Sequence, residues 1–166
     1  MTRVLADRRV LVGLVVLAQC GLVAAAVAGP LSARLTGHQY LLRVAPYDPI
    51  DPFRGAYVSL TYPDLTSRPG PDSSTGPRGT VFVPLVQDGT VWRGTAVTVT
   101  RPTAGPYVRC QDEGWQLRCG IESWFLPQGE AAAAGRALTG GHALARIAVD
   151  GRGNAALIDL VLGDLR

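Results

Sequence analysis

The sequence has no lysine, and all 16 of its basic residues are arginine. A Ser-Lys dyad, a Schiff-base lysine and a P-loop lysine are therefore excluded. Histidine is nearly as scarce. His38 and His142 stand far apart, no H-x-x-x-H or C-x-x-C spacing occurs, and neither a zinc site nor any other metal or cofactor is expected. Charged residues make up 17% of the chain, against about a quarter in soluble domains, whereas 47% are apolar. That balance excludes charge-driven disorder and points to a membrane segment. The net charge of +3 gives little footprint for nucleic acid, because Arg3, Arg8 and Arg9 against Asp7 supply most of it and the rest of the chain is almost neutral. Nucleic acid is not an expected partner.

What is present is one long apolar run. Val10 to Ala28 carries no formal charge over 19 residues, which as a helix spans about 28 Å, close to a bilayer's hydrocarbon thickness. Short basic flanks stay in the cytoplasm, so residues 1–9 read as a cytoplasmic tail and 10–28 as a single-pass anchor in the cytoplasmic membrane. Residues 29–38 then read as a linker with a turn through Pro30, and 39–166 as an extracytoplasmic domain. Ala26-Val27-Ala28 also fits a signal-peptidase site, which would release a domain starting at Gly29, but the run is longer than a secretory h-region and favours an anchor. Cys20 after Leu17-Ala18-Gln19 is a poorer lipoprotein signal.

The outer part alternates as strands do. Gln39–Val44 and Gly55–Tyr62 read as strands, the second with Val58, Leu60 and Tyr62 on one face. Residues 63–77 are rich in Pro, Gly and Ser and read as a loop. Thr80–Val86 and Val91–Val99 flank an Asp-Gly turn signal, Tyr107–Gln111 and Gln116–Phe125 form a second hairpin, and Ala143–Val149 and Ala155–Leu162 a third. A short helix is expected within Gly129–Leu138. The fold class is mainly β: one N-terminal transmembrane helix followed by a compact antiparallel domain of six to eight strands, as a roll, barrel or sandwich.

The cysteines test the compartment. With Gly114-Trp115 as a two-residue loop, facing residues have numbers that sum to 229, so Cys110 faces Cys119 in a non-hydrogen-bonded pair close enough for a disulfide. An oxidising compartment agrees with an extracytoplasmic domain.

Two segments carry recognition. Residues 43–62, RVAPYDPIDPFRGAYVSLTY, resemble the D-P-x-D/S-P-x-R-G-D-Y-x-x-L-x-Y signature of the GDYXXLXY domain family, matching at Gly55, Tyr57, Leu60 and Tyr62, with Ala56 where the family has Asp. Residues 120–130, GIESWFLPQGE, resemble that family's G-I/L-E-x-Y-F-V-P-E-G stretch through Gly120, Glu122, Phe125 and Pro127. The resemblance implies a bacterial, membrane-anchored protein of no established activity, with a multi-pass membrane protein as partner.

Asp48, Asp51 and Arg54 recur every third residue in a proline-fixed segment and would line one edge of a polyproline helix, adjacent ones about 9 Å apart. That is too far to share Ca²⁺ or act as a tight acid–base pair, so turn capping is the plainer role. Glu122, among apolar neighbours, would either pair inward, with Arg54 the expected partner, or face solvent. No catalytic motif is present. The favoured role is a non-enzymatic module docking onto an integral membrane or envelope partner. The alternative is a hydrolase or ligand-binding protein using Asp48, Asp51 and Glu122.

Overall fold

A computed structural model describes residues 2–46, 57–65, 79–114, 116–125, 138 and 143–162. The chain opens with one helix, α1 (Thr2–Thr36), about 52 Å long at the usual rise. Over residues 10–27 its apolar side chains point in every direction and are exposed: Leu17 is 70% exposed and Leu22 is 72% exposed. By length and composition this helix is a candidate membrane span. Residues 29–36, expected as linker and turn, instead continue the helix through Pro30. Proline removes one N–H from the ladder, a loss that tertiary contacts further along can offset.

Among the described residues ten strands follow: β1 (His38–Arg43), β2 (Ala45–Pro46), β3 (Tyr57–Thr61), β4 (Gly79–Asp88), β5 (Val91–Gly94), β6 (Tyr107–Asp112), β7 (Leu117–Arg118), β8 (Ser123–Phe125), β9 (Ala143–Val149) and β10 (Ala155–Leu162). Seven form a sheet ordered β10-β9-β1-β5-β4-β6-β7, and three form a second, β2-β3-β8. All pairings are antiparallel except β1 with β5, which meet in parallel at Leu42 and Trp92. The large sheet curls until β6 reaches the β9–β10 turn, where the Arg109 N–H donates to the Gly153 carbonyl at 2.8 Å. Gly153 is required there: its φ is +81°, and a Cβ would lie 2.5 Å from the Tyr107 ring.

Alternation decides what is buried. Val81, Val83 and Leu85 of β4 join Leu42, Val108 and Ile147 in one core, as period-two patterning requires. Leu60 and Tyr62 are buried with them, whereas Ser59 and Thr61 are half-buried. β9 is buried on both faces. The face of β9 and β10 turned away from the core holds Ala148 opposite Ala156, both buried along with Ala33 of the helix, and α1 packs on these two strands. Small side chains permit that close approach.

The hairpin at 143–162 forms as expected; the one expected over 80–99 forms through Gly89-Thr90 with Gly89 at φ +66°, but its second strand ends at Gly94, beyond which Thr98 makes an isolated bridge to Phe82. The second hairpin departs. Gln111 faces Arg118 and Asp112 faces Leu117, in the register of sum 229, and the Cys110–Cys119 disulfide is formed. However, Gln116–Phe125 is not one strand. At Gly120 (φ +82°) the chain turns away, and β8 pairs with β3 in the other sheet. The expected helix at 129–138 lies outside the described residues, apart from Leu138, which is buried.

The foot of α1 is fastened by one carboxylate. Asp150, in the β9–β10 turn, accepts hydrogen bonds at Oδ1 from the Arg152 and Asn154 N–H groups and at Oδ2 from the Ser32 hydroxyl (2.6 Å) and the Asn154 side-chain amide (2.8 Å). Arg34 donates to the Leu157 carbonyl at 3.1 Å. At Gly37 a Cβ would lie 2.3 Å from the Ala33 carbonyl oxygen, so the chain can leave the helix this closely only without a side chain. Burial pushes the Asp150 pKa up, but the hydrogen bonds from Ser32, Asn154 and the turn amides outweigh it and hold the carboxyl below its ordinary value.

The depressed pKa means that Asp150 stabilises the fold fully above the ordinary carboxyl pKa of about 4 and loses that contribution as pH falls through its folded value. Asp150→Ala should cost about 3 kcal/mol or more, since it orphans several donors, whereas Ser32→Ala should cost only about 1. Thermal unfolding in detergent micelles at neutral pH and at pH about 3 checks both, and the gap between wild type and Asp150→Ala should narrow in acid. Removing the disulfide with Cys110→Ser and Cys119→Ser should cost about 2 to 3 kcal/mol, because the closed loop is short. Denaturant titration measures that loss, and non-reducing peptide mapping of wild-type protein should recover the two cysteines joined.

Candidate functional site

The two motif segments, separated by some sixty residues of chain, are brought side by side. Tyr57 faces Phe125, Val58 faces Trp124 and Ser59 faces Ser123 in the β3–β8 ladder. The contact continues beyond it, for the Leu60 N–H donates to the Glu122 carbonyl at 2.8 Å. The Tyr62 hydroxyl donates to the Ile121 carbonyl at 2.8 Å in a buried position. The last two matched positions of the first motif thus hold the opening of the second: Leu60 is 1% exposed and Ile121 is fully buried.

Among the described residues, Glu122 turns its carboxylate onto the backbone of its own turn. One carboxylate oxygen accepts the Cys119 N–H and the other accepts the Gly120 N–H at 3.0 Å. A carboxylate reaching back two and three residues satisfies the amides freed where β7 ends, and Gly120 supplies the positive φ that lets the chain turn there. The same turn holds Cys119, so the disulfide, the glycine and the glutamate fix one short segment between the two sheets. Burial raises the Tyr62 hydroxyl well above the ordinary tyrosine pKa, and the Glu122 carboxylate raises it further, so Tyr62 stays a donor.

Asp48, Asp51, Arg54, Gly55 and Pro127 lie outside the described residues, as does the expected Arg54–Glu122 pair, and Tyr57 is described by its backbone alone. The remaining motif residues, Leu60, Tyr62, Gly120, Glu122 and Phe125, do come together. Phe125 is the large apolar side chain among them that is exposed, at 78%. Among the described residues no group of three metal-ligating side chains is found. The Ser32–Asp150 contact was not foreseen, because 118 residues separate its partners and the Asp-Gly of the turn reads only as a local signal.

A family model described as GDYXXLXY protein matches residues 19–160, and the chain belongs to that family. No curated protein and no solved structure matches it.

Glu122→Ala should cost about 2 kcal/mol by orphaning two amides, and Tyr62→Phe about 1, each measured by denaturant unfolding. Both act on the β3–β8 junction, so the double variant should deviate from additivity by about 0.5 kcal/mol or more.

Proposed function

We propose that this member of the GDYXXLXY family is a membrane-anchored β module whose domain lies on the extracytoplasmic side and docks, through its paired motifs, onto an integral membrane or envelope partner. The observation that carries this reading is Phe125, a large aromatic side chain 78% exposed within the second motif and in register with the first. Aromatic side chains bury large areas at little entropic cost and anchor many interfaces. An exposed one set on a strand held by buried neighbours is suited to that use.

Two further features support it. The Ser32–Asp150 and Arg34–Leu157 contacts join helix to domain without a slack linker. A partner in the same bilayer would meet a surface already oriented, and binding would not have to supply that ordering. The Cys110–Cys119 disulfide suits an oxidising compartment, and Arg3, Arg8 and Arg9 ahead of the span favour the same orientation. The alternative, a hydrolase or ligand-binding protein using Asp48, Asp51 and Glu122, gains no support from Glu122, whose two oxygens are taken up by backbone N–H groups.

A photo-crosslinking residue placed at Phe125 in intact membranes should trap a multi-pass or envelope protein. The same residue at Thr90, exposed on the β4–β5 turn, should not. Equal trapping from both positions, or a lone chain copurifying with a small ligand, would overturn the docking role.

A further inference from the structure

Where α1 leaves its charge-free run, an open cleft of about 240 Å³ lies between the helix and the β6–β7 hairpin, with Gly29, Pro30, Asn154, Arg109 and Arg118 among its walls. Its depth is set by the helix. Gly29 immediately follows the 19 uncharged residues, and the Asn154 side chain lies against it, 3.4 Å from where a Cβ would be. A run of that length fills the hydrocarbon, so Gly29 and Pro30 fall at the level of the lipid headgroups, and the cleft opens there.

The cleft carries cations. Arg109 and Gln111 are the exposed positions of β6, and Arg118 faces Gln111 across the ladder, so both guanidinium groups leave the same face of the hairpin. Arg118 meets Glu113 at 3.5 Å, with 62% of its side chain exposed, a contact too loose and wet to neutralise it. No ion pair or hydrogen bond engages the Arg109 guanidinium among the described residues. The nearby Asp150 carboxylate is turned toward Ser32, Asn154 and the turn amides. We propose that this cleft binds the phosphate of an anionic membrane lipid, held between Arg109 and Arg118 against the foot of α1. Guanidinium groups grip phosphate oxygens in pairs, and cationic pockets beside membrane helices at headgroup depth suit such lipids. A bound lipid would bridge helix and hairpin at the joint that Asp150 already fastens.

The inference rests on reading α1 as a membrane span and not on the docking role. The full chain is placed in nanodiscs of phosphatidylcholine with or without phosphatidylglycerol, and the lipids retained after gentle extraction are identified by native mass spectrometry. Wild-type protein should retain phosphatidylglycerol in preference. The Arg109→Ala/Arg118→Ala variant should retain about tenfold less, as loss of two contacts to an anionic surface implies, and Arg109→Lys/Arg118→Lys should recover part of the loss. Arg93→Ala, on the exposed Arg93–Asp88 pair of the β4–β5 hairpin, should match wild type. Equal retention by all variants, or an equal loss in Arg93→Ala, would overturn the site. Displacement of the lipid by millimolar inorganic phosphate would assign the cleft to a soluble phosphate and overturn the lipid reading. An intact disulfide and an unchanged unfolding midpoint confirm that each variant is folded. Crosslinking from position 125, measured on the same variants, separates failure of this site from failure of the docking reading.

Discussion

The Asp150 carboxylate is the constraint on which the rest of the arrangement depends. A β-hairpin turn closed by aspartate is a local matter, since the side chain caps amides two and four residues on. Here the second oxygen also accepts from Ser32 on the helix, so a single buried charge closes the turn and fastens the anchor. The close approach is possible because Ala33, Ala148 and Ala156 fill the contact with almost no side chain. Were the helix free to swing, neither the cleft at Gly29 nor the position of Phe125 would have a defined place relative to the bilayer.

The motif sheet is built on a second economy of the same kind. Glu122 is a charge among apolar neighbours, and the sequence suggests a cation to neutralise it. Among the described residues the backbone provides donors, at the turn where Gly120 breaks the strand. Hydrogen bonds from amides to a carboxylate are strong and need no second charge to be desolvated. The Tyr62 hydroxyl then joins this turn to the first motif through the Ile121 carbonyl. The joint appearance of the two motifs in the sequence therefore has a structural cause in their ladder, on which the Phe125 side chain is exposed.

What the sequence made legible was local. Ala143–Val149 and Ala155–Leu162 are assigned to the residue, because apolar runs flank the turn residues Asp150-Gly151-Arg152-Gly153-Asn154, although the register shifts between Leu157 and Asp159. The disulfide followed from counting outward from Gly114. What was missed was in each case non-local. Pro30 looks like a helix end, and only the packing of residues 32–34 on the hairpin shows why the helix goes on. Gly120 inside an apolar stretch looks like a weak point in one strand, whereas its positive φ divides two sheets. The parallel contact of β1 with β5 leaves no pattern in either strand, since Leu42 and Trp92 would read the same in an antiparallel pair. Glu122 was singled out correctly as a charge needing partners, but backbone donors have no sequence signature.

The absence of lysine is also consistent with how the joint is made. Arg34 donates to the Leu157 carbonyl, and Arg101 donates through its Nε to the Tyr107 hydroxyl and through Nη2 to the Gly151 carbonyl, with its guanidinium 5.6 Å from the Tyr107 ring centre. These contacts need a flat, forked donor that reaches two acceptors at once and can lie against a ring, which an ammonium group does not offer. Arg101 and Tyr107 thereby hold the Gly151 carbonyl, while Asp150 holds the next residue from within. The β9–β10 turn is thus held by several side chains, and the curl of the sheet that brings β6 against Gly153 becomes part of the same fastening. A chain with few charges has placed several of them where the long apolar helix meets the domain.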